Sequence, residues 1–284
     1  MKRKFLGILS VLLAVALLGS CAGQGIRLLF GGFKGVSPAA GAAFREPAYV
    51  DYTVCRMYYA SFTPAQRQAY RTVYNGLTAH EEKILLPKLT ETALSEVLEA
   101  VRLENPQILC TGTEYSYYES AAGVMLLPDY TLSAAQADEM AKKLIARGKE
   151  IVAAAPQGDP GAMELYLHDA ICAFSDYGDG ALASTAYGAL ITGNAVCAGY
   201  TAAAKLLFDL AGLPSAVVSG TAREGELEIP HAWNAISLNG EWVYLDVTWD
   251  DPAGGAERYD YFNLTERELS RTHFAYSLPG IIAP

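Results

Sequence analysis

Three residues that could act together in nucleophilic catalysis stand in the second half of the chain. Cys197 stands where a Gly193-Asn194 turn leads into an apolar helical stretch. The free N–H groups and the dipole at such a helix start stabilise a thiolate. His231 comes 34 residues later, and Asp246 a further 15 residues on. A nucleophile, a base and a group that orients the base are therefore all present.

The segment 231–249, HAWNAISLNGEWVYLDVTW, decides whether the histidine and the aspartate can meet. Asn239-Gly240 between two alternating runs predicts a β-hairpin with a two-residue turn, because both residues of that turn must adopt positive φ. Such a turn fixes the register of the two strands. The predicted opposite pairs are Leu238 with Glu241, Ile236 with Val243, Trp233 with Asp246, and His231 with Thr248.

The two faces of this hairpin differ in polarity, since successive side chains point to opposite sides of a sheet. One face is the predicted core and consists of Ala232, Asn234, Ile236, Leu238, Val243, Leu245, Val247 and Trp249. His231 and Asp246 fall on the other face as diagonal neighbours, with Cβ atoms about 7–8 Å apart or less, so the carboxylate can accept a ring N–H. Trp233 shares that face and either shields an acyl-enzyme or fills the sheet surface.

The remaining histidines lack such a setting. His80 lies in the first turn of a predicted polar helix, and His273 lies in the tail with no acid placed beside it. His168 has Asp169 next to it on a predicted helix, where neighbours point apart, so packing is favoured over a supporting role at the site. The sequence contains no CxxC pair and no HxxxH pair, so it predicts no metal site and no cofactor.

The first 20 residues have the layout of a secretory signal peptide. Three basic residues precede an apolar run at 5–18, which is too short to span a membrane. The following LLGSC resembles a bacterial lipobox, which implies cleavage before Cys21 and lipidation of its thiol. The alternative is an ordinary signal peptide that is cut nearby. Residues 21–48 are rich in glycine and alanine and predict a flexible tether.

Charge and cysteine content limit the partners and the crosslinks. Cleavage would remove three basic residues and change the formal net charge from −10 to −13, and an acidic chain without a basic run argues against a nucleic-acid partner. The cysteines beyond the lipobox could form two disulfides, or one at most if Cys197 is a working thiol. These cysteines are Cys55, Cys110, Cys172 and Cys197.

The elements around these motifs predict an α+β fold, in which the Cys-bearing helix packs on an antiparallel sheet. Residues 49–160 predict a mainly helical N-terminal region, and residues 161–284 the catalytic domain. Capping residues predict helix starts at Thr63-Pro64, Thr78 with Glu81, Thr90, Ser133 with Gln136, and Asp159-Pro160. Strands are predicted within 113–120 and 122–130, and a polar loop at 221–230.

Three segments resemble the transglutaminase-like superfamily, whose core is papain-like. GNAVCAGY is similar to the Cys-bearing helix start of that family, PHAWN to its His strand and YLDVTWDDP to its Asp strand, in the family's order. AYGALITGNAVC and YDYFNLTERE are similar to a bacterial, membrane-anchored lipoprotein branch. The resemblance covers residues 163–264. One departure is Cys110 in ENPQILC, where an aromatic residue is expected; it lies outside the core.

The resemblance implies acyl transfer through a thioester on Cys197, with His231 as the base and Asp246 as its partner. The backbone N–H of Cys197 would be one oxyanion donor, and Asn194 or Tyr187 would supply the second.

Two classes of function remain open from the sequence. In the first, the protein is a cysteine peptidase or amidase, or a transglutaminase, that acts on peptides or proteins, including cell-wall peptide, while anchored outside the cytoplasm. In the second, it is a catalytically silent surface module that binds a peptide or glycan.

Overall fold

The structure is a computed structural model that describes residues 43–120, 122–252, 257–276, 278–280 and 282. The helices are α1 (Met57–Ser61), α2 (Pro64–Thr78), α3 (Glu91–Glu104), α4 (Ala134–Ala154), α5 (Pro160–Cys172), α6 (Cys197–Ala211), α7 (Val247–Asp250) and α8 (Glu266–Leu269). The strands are β1 (Ile84–Leu86), β2 (Thr111–Ser120), β3 (Gly123–Tyr130), β4 (Asp176–Tyr177), β5 (Asn194–Ala195), β6 (Ser215–Glu224), β7 (Leu227–Leu238), β8 (Glu241–Leu245) and β9 (His273–Phe274). A π-helical turn spans Gly188–Thr192.

The predicted signal peptide, 1–20, the predicted lipidation site Cys21 and the tether up to residue 42 lie outside the described residues. Residues 43–48 are described, and they are not part of a flexible tether, because the ring of Phe44 packs edge-on against Tyr74 at a centroid distance of 5.4 Å. Within the described ranges, every helix is too short or too polar to span a bilayer.

The N-terminal region combines two helices with a small sheet. The sheet is antiparallel in the order β1–β3–β2. The helices α2 and α3 bury an apolar face against it, and the shared core includes Tyr70, Tyr74, Val97, Val101 and Leu126. The region therefore carries a hydrophobic core of its own.

The helix starts are confirmed at four of the five predicted positions, since Ser133 caps α4 and Asp159 caps α5 as expected. Thr63 caps α2, and Thr90 caps α3 by accepting from a backbone N–H. The start predicted at Thr78 is wrong, because α2 ends there. The Thr78 hydroxyl donates back to the carbonyl oxygen of Tyr74 at 2.9 Å, and the chain then enters β1.

The second half of the chain has the predicted α+β arrangement. Helix α6 packs on β6 and β7 of an antiparallel sheet whose order is β8–β7–β6–β9. Helices α4 and α5 pack on the other side of α6, so α6 is surrounded and its Tyr200, Leu207 and Phe208 have no exposed surface. Gly212 ends α6 with φ of 71°, a left-handed conformation that glycine adopts without strain.

The predicted hairpin is confirmed near its turn. Asn239 and Gly240 have φ of 54° and 90°, and Leu238 pairs with Glu241 as expected. The predicted strand pairing beyond Leu245 is wrong, because Asp246 leaves the strand and caps α7. Trp233 is therefore not paired with Asp246, nor His231 with Thr248.

The polarity of the two hairpin faces needs two corrections. The predicted core face does pack on α6 through Ile236, Leu245 and Val247, but Trp249 is not in that core and stacks on His231 instead. The opposite face is also buried. There Trp233 packs with Val218, Ala235, Tyr244 and Leu269, because the C-terminal segment returns to cover it.

Residues 221–230, predicted to be a loop, are largely strand. β6 continues to Glu224 and β7 begins at Leu227, so the two strands form a second hairpin. Gly225 makes the turn with φ of 63°. Because this stretch is polar and lacks alternation, its pairing depends on the buried halves of the same two strands.

Candidate active site

Cys197 is the first residue of α6, and the backbone around it is fixed. The N–H of Val196 donates to the carbonyl oxygen of Ala183 at 3.0 Å. A Cβ atom on Gly199 would lie 2.2 Å from that same oxygen, so only glycine allows this close approach. Val196 offers no side-chain cap, while its carbonyl oxygen accepts from the N–H of Tyr200 at 3.1 Å. The helix start is therefore held in place without a side chain that would block its free N–H groups.

The structure brings Cys197, His231 and Asp246 together. His231 Nε2 donates to Asp246 Oδ2 at 2.7 Å. The Cys197 thiol lies close enough to the ring to help raise the pKa of His231. Because Nε2 is bonded to Asp246, Nδ1 is the ring nitrogen left to face the thiol. Cys197 and Asp246 have no exposed surface, and His231 is 7% exposed. A thiol, an imidazole and a carboxylate thus lie next to one another in a buried site, with the imidazole and the carboxylate hydrogen-bonded.

The Asp246 carboxylate accepts four hydrogen bonds. Oδ1 accepts from the backbone N–H groups of Thr248 at 3.1 Å and Trp249 at 3.3 Å, and this caps α7. Oδ2 accepts from His231 and, at 3.2 Å, from His273 Nε2. Burial alone would raise the pKa of Asp246, but the charges and hydrogen bonds of the two histidines outweigh it and hold that pKa well below its usual range. Asp246 is therefore ionised at neutral pH.

The electrostatics of His231 follow from that charge. Burial disfavours the charged ring, but the hydrogen-bonded Asp246 carboxylate and the neighbouring Cys197 outweigh burial and raise the pKa of His231 to about 10. The site therefore favours an imidazolium, which can pair with a thiolate.

His273 is a site residue that the sequence did not reveal, and the expectation that it has no acid beside it is wrong. It lies on β9, which pairs with the outer edge of β6, and it has no exposed surface. Its Nδ1 is 2.9 Å from the hydroxyl of Thr272. Its acid, Asp246, is 27 residues earlier, and only the addition of β9 to the sheet brings the two together.

Tyr177 is a second residue that no sequence signal identified. It lies on β4 and packs with Val196 and Ala198 near the start of α6. Burial and the nearby charges of Cys197 and Asp179 raise the pKa of its phenol. A neutral hydroxyl group therefore lies in the electrostatic neighbourhood of the thiol.

The two residues suggested as oxyanion donors are occupied elsewhere. The Asn194 side-chain amide donates to the carbonyl oxygen of Asp179. Tyr187 packs against the core beside α4, where the Lys143 ammonium lies 5.9 Å from its ring centroid. The structure thus places neither side chain at the triad.

Trp233 lies beside the triad and not over it. Its ring is fully buried, with a centroid 6.3 Å from that of His231 and 4.6 Å from that of His273. Trp249 is closer to His231, at 5.0 Å and nearly parallel to it. Trp249 therefore limits the tilt of the imidazole ring.

A cleft of about 540 Å³ opens at His231. Its floor includes His231 and Ala198 of the catalytic half, and its opposite wall includes Glu99 and Arg102 of α3. The N-terminal region thus forms one side of the approach to the triad.

All four described cysteines are free thiols, so neither of the predicted disulfide arrangements is formed among them. Burial raises the pKa of Cys110 to about 11, and it also raises the pKa values of Cys55 and Cys172. These three thiols therefore stay protonated near neutral pH.

The fold and this site define a class, namely α+β proteins in which a cysteine at a helix start meets a His–Asp pair on an antiparallel sheet. Residues 149–247 match the model of the Transglutaminase-like superfamily. This part of the chain is therefore similar to that superfamily.

Several solved structures are similar to the chain. A TGase structure is 17% identical with a TM-score of 0.34 and covers 65% of this chain and 54% of its own. A candidate cysteine protease from Cytophaga hutchinsonii is 13% identical with a TM-score of 0.36, and the match covers 60% of this chain and 68% of the protease chain. The periplasmic domain of TgpA from Pseudomonas aeruginosa is 22% identical with a TM-score of 0.30, and the match covers 38% of this chain and 44% of the TgpA chain. The chain thus spans about half the length of the TGase and TgpA structures. No curated protein sequence matches the chain.

Proposed function

We propose that the protein is a thiol-dependent acyl-transfer enzyme that acts on amide bonds of peptides or proteins through Cys197, His231 and Asp246. The observation that supports this most directly is the hydrogen bond between the His231 imidazole and the buried Asp246 carboxylate, next to a buried thiol at a helix start. A thiol nucleophile, an imidazole base and a carboxylate that orients the base perform nucleophilic catalysis on several unrelated folds.

The reaction follows from the proton positions in this chain. The Cys197 thiolate attacks the amide carbonyl, and the His231 imidazolium gives its proton to the departing amine as the C–N bond breaks. A thioester remains on Cys197. Water or a second amine then attacks it, His231 takes the proton of the attacking group, and the thiolate is released with a carboxylic acid or a new amide. Throughout, Asp246 stays ionised and stabilises the imidazolium.

The developing oxyanion needs two donors, and the first is the N–H of Cys197. Among the hydrogen bonds of the described residues, that N–H has no acceptor. For the second donor we favour the phenol of Tyr177 over Asn194 or Tyr187, because Tyr177 packs against Val196 and Ala198, the residues on either side of Cys197. Its neutral hydroxyl can donate to a charged oxygen.

The substrate side of the proposal rests on the cleft and on the N-terminus. A cleft of about 540 Å³, lined by His231 and by Ala198 next to Cys197, has room for an extended peptide segment, including a cell-wall peptide. We infer that water accepts the acyl group, so that the reaction is hydrolysis. The alternative is transglutamination, in which an amine accepts it, and an assay with an added amine distinguishes the two. The signal-like first 20 residues and the lipobox-like Cys21 support an extracytoplasmic, lipid-anchored location.

The reactivity of the thiols tests this proposal without knowledge of the substrate. In the metal-free protein at pH 7, iodoacetamide should alkylate Cys197 on the order of tenfold or more faster than Cys55, Cys110 or Cys172, because Cys197 lies at a helix start beside His231 whereas burial raises the pKa values of the other three thiols. Peptide mass spectrometry over a time course measures the four rates. If Cys197 stays unlabelled or is no faster than Cys55, the proposal is wrong, and the binding-module alternative gains support.

His273 provides a test of how the carboxylate is positioned. Replacing His273 by phenylalanine removes one hydrogen bond to a charged group, which is worth about 1.5–3 kcal/mol, and should lower kcat/KM by about ten- to a hundredfold. Loss of that donor raises the pKa of Asp246 and weakens its hold on His231, so the alkaline limb of the pH profile should move to lower pH. His273→Gln keeps an N–H donor at the position of Nε2 and should restore most of the activity. Equal losses in both variants, with an unchanged pH profile, would mean that His273 only fills space.

A further inference from the structure

A second cluster of metal-binding side chains lies at the C-terminal end of α5 and shares no residue with the triad. His168 and Cys172 are one helical turn apart, a spacing that a search for paired histidines or paired cysteines does not find. Glu257 reaches them from the segment that follows α7. One ligand atom from each of the three lies within 4.8 Å of the other two. Asp169 adds a fourth, with Oδ1 at 3.0 Å from His168 Nδ1.

The charges of this cluster do not balance. Three carboxylate oxygens approach the two ring nitrogens of His168, namely Asp169 Oδ1 at 3.0 Å, Asp250 Oδ2 at 3.3 Å and Glu257 Oε1 at 3.5 Å. A protonated imidazole carries one positive charge and has two N–H donors, so it cannot satisfy three carboxylates. Within the described part of the chain, these carboxylates form ion pairs with His168 and with no lysine or arginine. A divalent cation would supply the missing positive charge.

The orientation of His168 is the one found in metal sites. Its Nε2 faces Asp250, and both side chains have no exposed surface. Asp250 is fixed in turn, since its Oδ1 accepts from the backbone N–H of Tyr261 at 2.9 Å. In metal sites the second ring nitrogen of a histidine usually faces a carboxylate, while the first nitrogen faces the ion. Here that first nitrogen is Nδ1, which faces Asp169 and Glu257.

We propose that His168, Cys172 and Glu257, with Asp169 as the fourth ligand, bind a zinc ion. One nitrogen, one sulfur and carboxylate oxygens are a donor set that zinc accepts, whereas calcium and magnesium avoid thiolates. Bonds of zinc to such donors place tetrahedral ligand atoms about 3.3–3.8 Å apart, close to the spacing already present. The ion would join α5 to the segment after α7, the helix that Asp246 caps.

Zinc and cobalt binding by the purified full chain test the proposal. The metal-stripped protein is loaded with ZnCl₂, desalted and assayed by mass spectrometry for metal, and in parallel titrated with CoCl₂ to detect a sulfur-to-cobalt charge-transfer band. We expect one equivalent of zinc in the wild type and in Cys55→Ala, which removes a comparable half-buried thiol. Cys172→Ala and Glu257→Gln should each weaken zinc binding by about tenfold or more and reduce the cobalt band, as the loss of a ligand requires.

A third variant separates this cluster from the triad, where a thiol and two histidines also meet. Cys197→Ala should keep its full equivalent of zinc and its cobalt band. The proposal is overturned if the wild type binds no zinc, if Cys172→Ala binds as much as Cys55→Ala, or if zinc is lost only in Cys197→Ala. It is also overturned if calcium protects the protein against heat as well as zinc does.

Discussion

Replacing Cys197 by alanine is expected to lower the thiol-dependent hydrolysis of p-nitrophenyl acetate on the order of 10³-fold or more, to the background rate. This ester needs no recognition by the cleft, so it reports the nucleophile alone. The thiolate at the start of α6 should attack it, release p-nitrophenolate in a burst and leave an acetyl thioester. The measurement is burst amplitude and steady-state rate, together with the mass of the acetylated protein.

Cys55→Ala is the matched control, because Cys55 is a half-buried free thiol outside the site. It should keep the burst and the steady-state rate of the wild type. A burst that persists in Cys197→Ala would assign the chemistry to another group and end the proposal. Adding a primary amine to the assay separates the two acceptors, since a transglutaminase would form the acetylated amine in preference to acetate.

The parts of the site that were predictable are those fixed by local sequence. The positive φ of Asn239 and Gly240 sets the hairpin register, and the helix start at Cys197 follows from the turn before it and the apolar run after it. Both depend on residues within one element or its turn. The meeting of His231 with Asp246 was therefore predictable as a contact.

The geometry of that contact was not predictable from alternation alone. Asp246 is an N-cap, so two backbone N–H groups compete with strand pairing and turn the chain into α7. This turn moves Trp249 from the predicted core to the ring of His231. An Asp followed by Val, Thr, Trp and Asp carries both a strand pattern and a capping pattern, and the buried hydrogen bonds decide for the cap.

His273 and Tyr177 were missed for a different reason. Each sits on a two-residue strand whose place depends on pairing with a distant strand, β6 for one and β5 for the other. Two-residue strands have no periodicity to detect. In the sequence no acid stands beside His273, which argues against a role at the site. In the fold, however, Asp246 is its hydrogen-bond partner.

Asp246→Asn is expected to lower kcat/KM by about 10³- to 10⁴-fold, although asparagine caps helices as well as aspartate does. The amide group cannot accept from both His231 and His273 while its oxygen keeps the two backbone bonds to α7. The substituted side chain either turns an N–H toward His231 or loses the cap, and in both cases His231 is no longer held with Nδ1 toward Cys197. The loss should appear in kcat more than in KM.

The pH profile distinguishes this loss from a general weakening of the fold. Asp246 raises the pKa of His231, so its removal lowers that pKa, and the imidazolium that pairs with the thiolate is then lost as pH rises through the lower value. The alkaline limb of kcat/KM should therefore move toward neutral pH in Asp246→Asn. Asp159→Asn alters the equivalent cap of α5, far from any histidine contact, and should leave rate and pH profile unchanged. If both variants lose activity equally with a wild-type pH profile, Asp246 acts only as a helix cap, and the triad loses its third member.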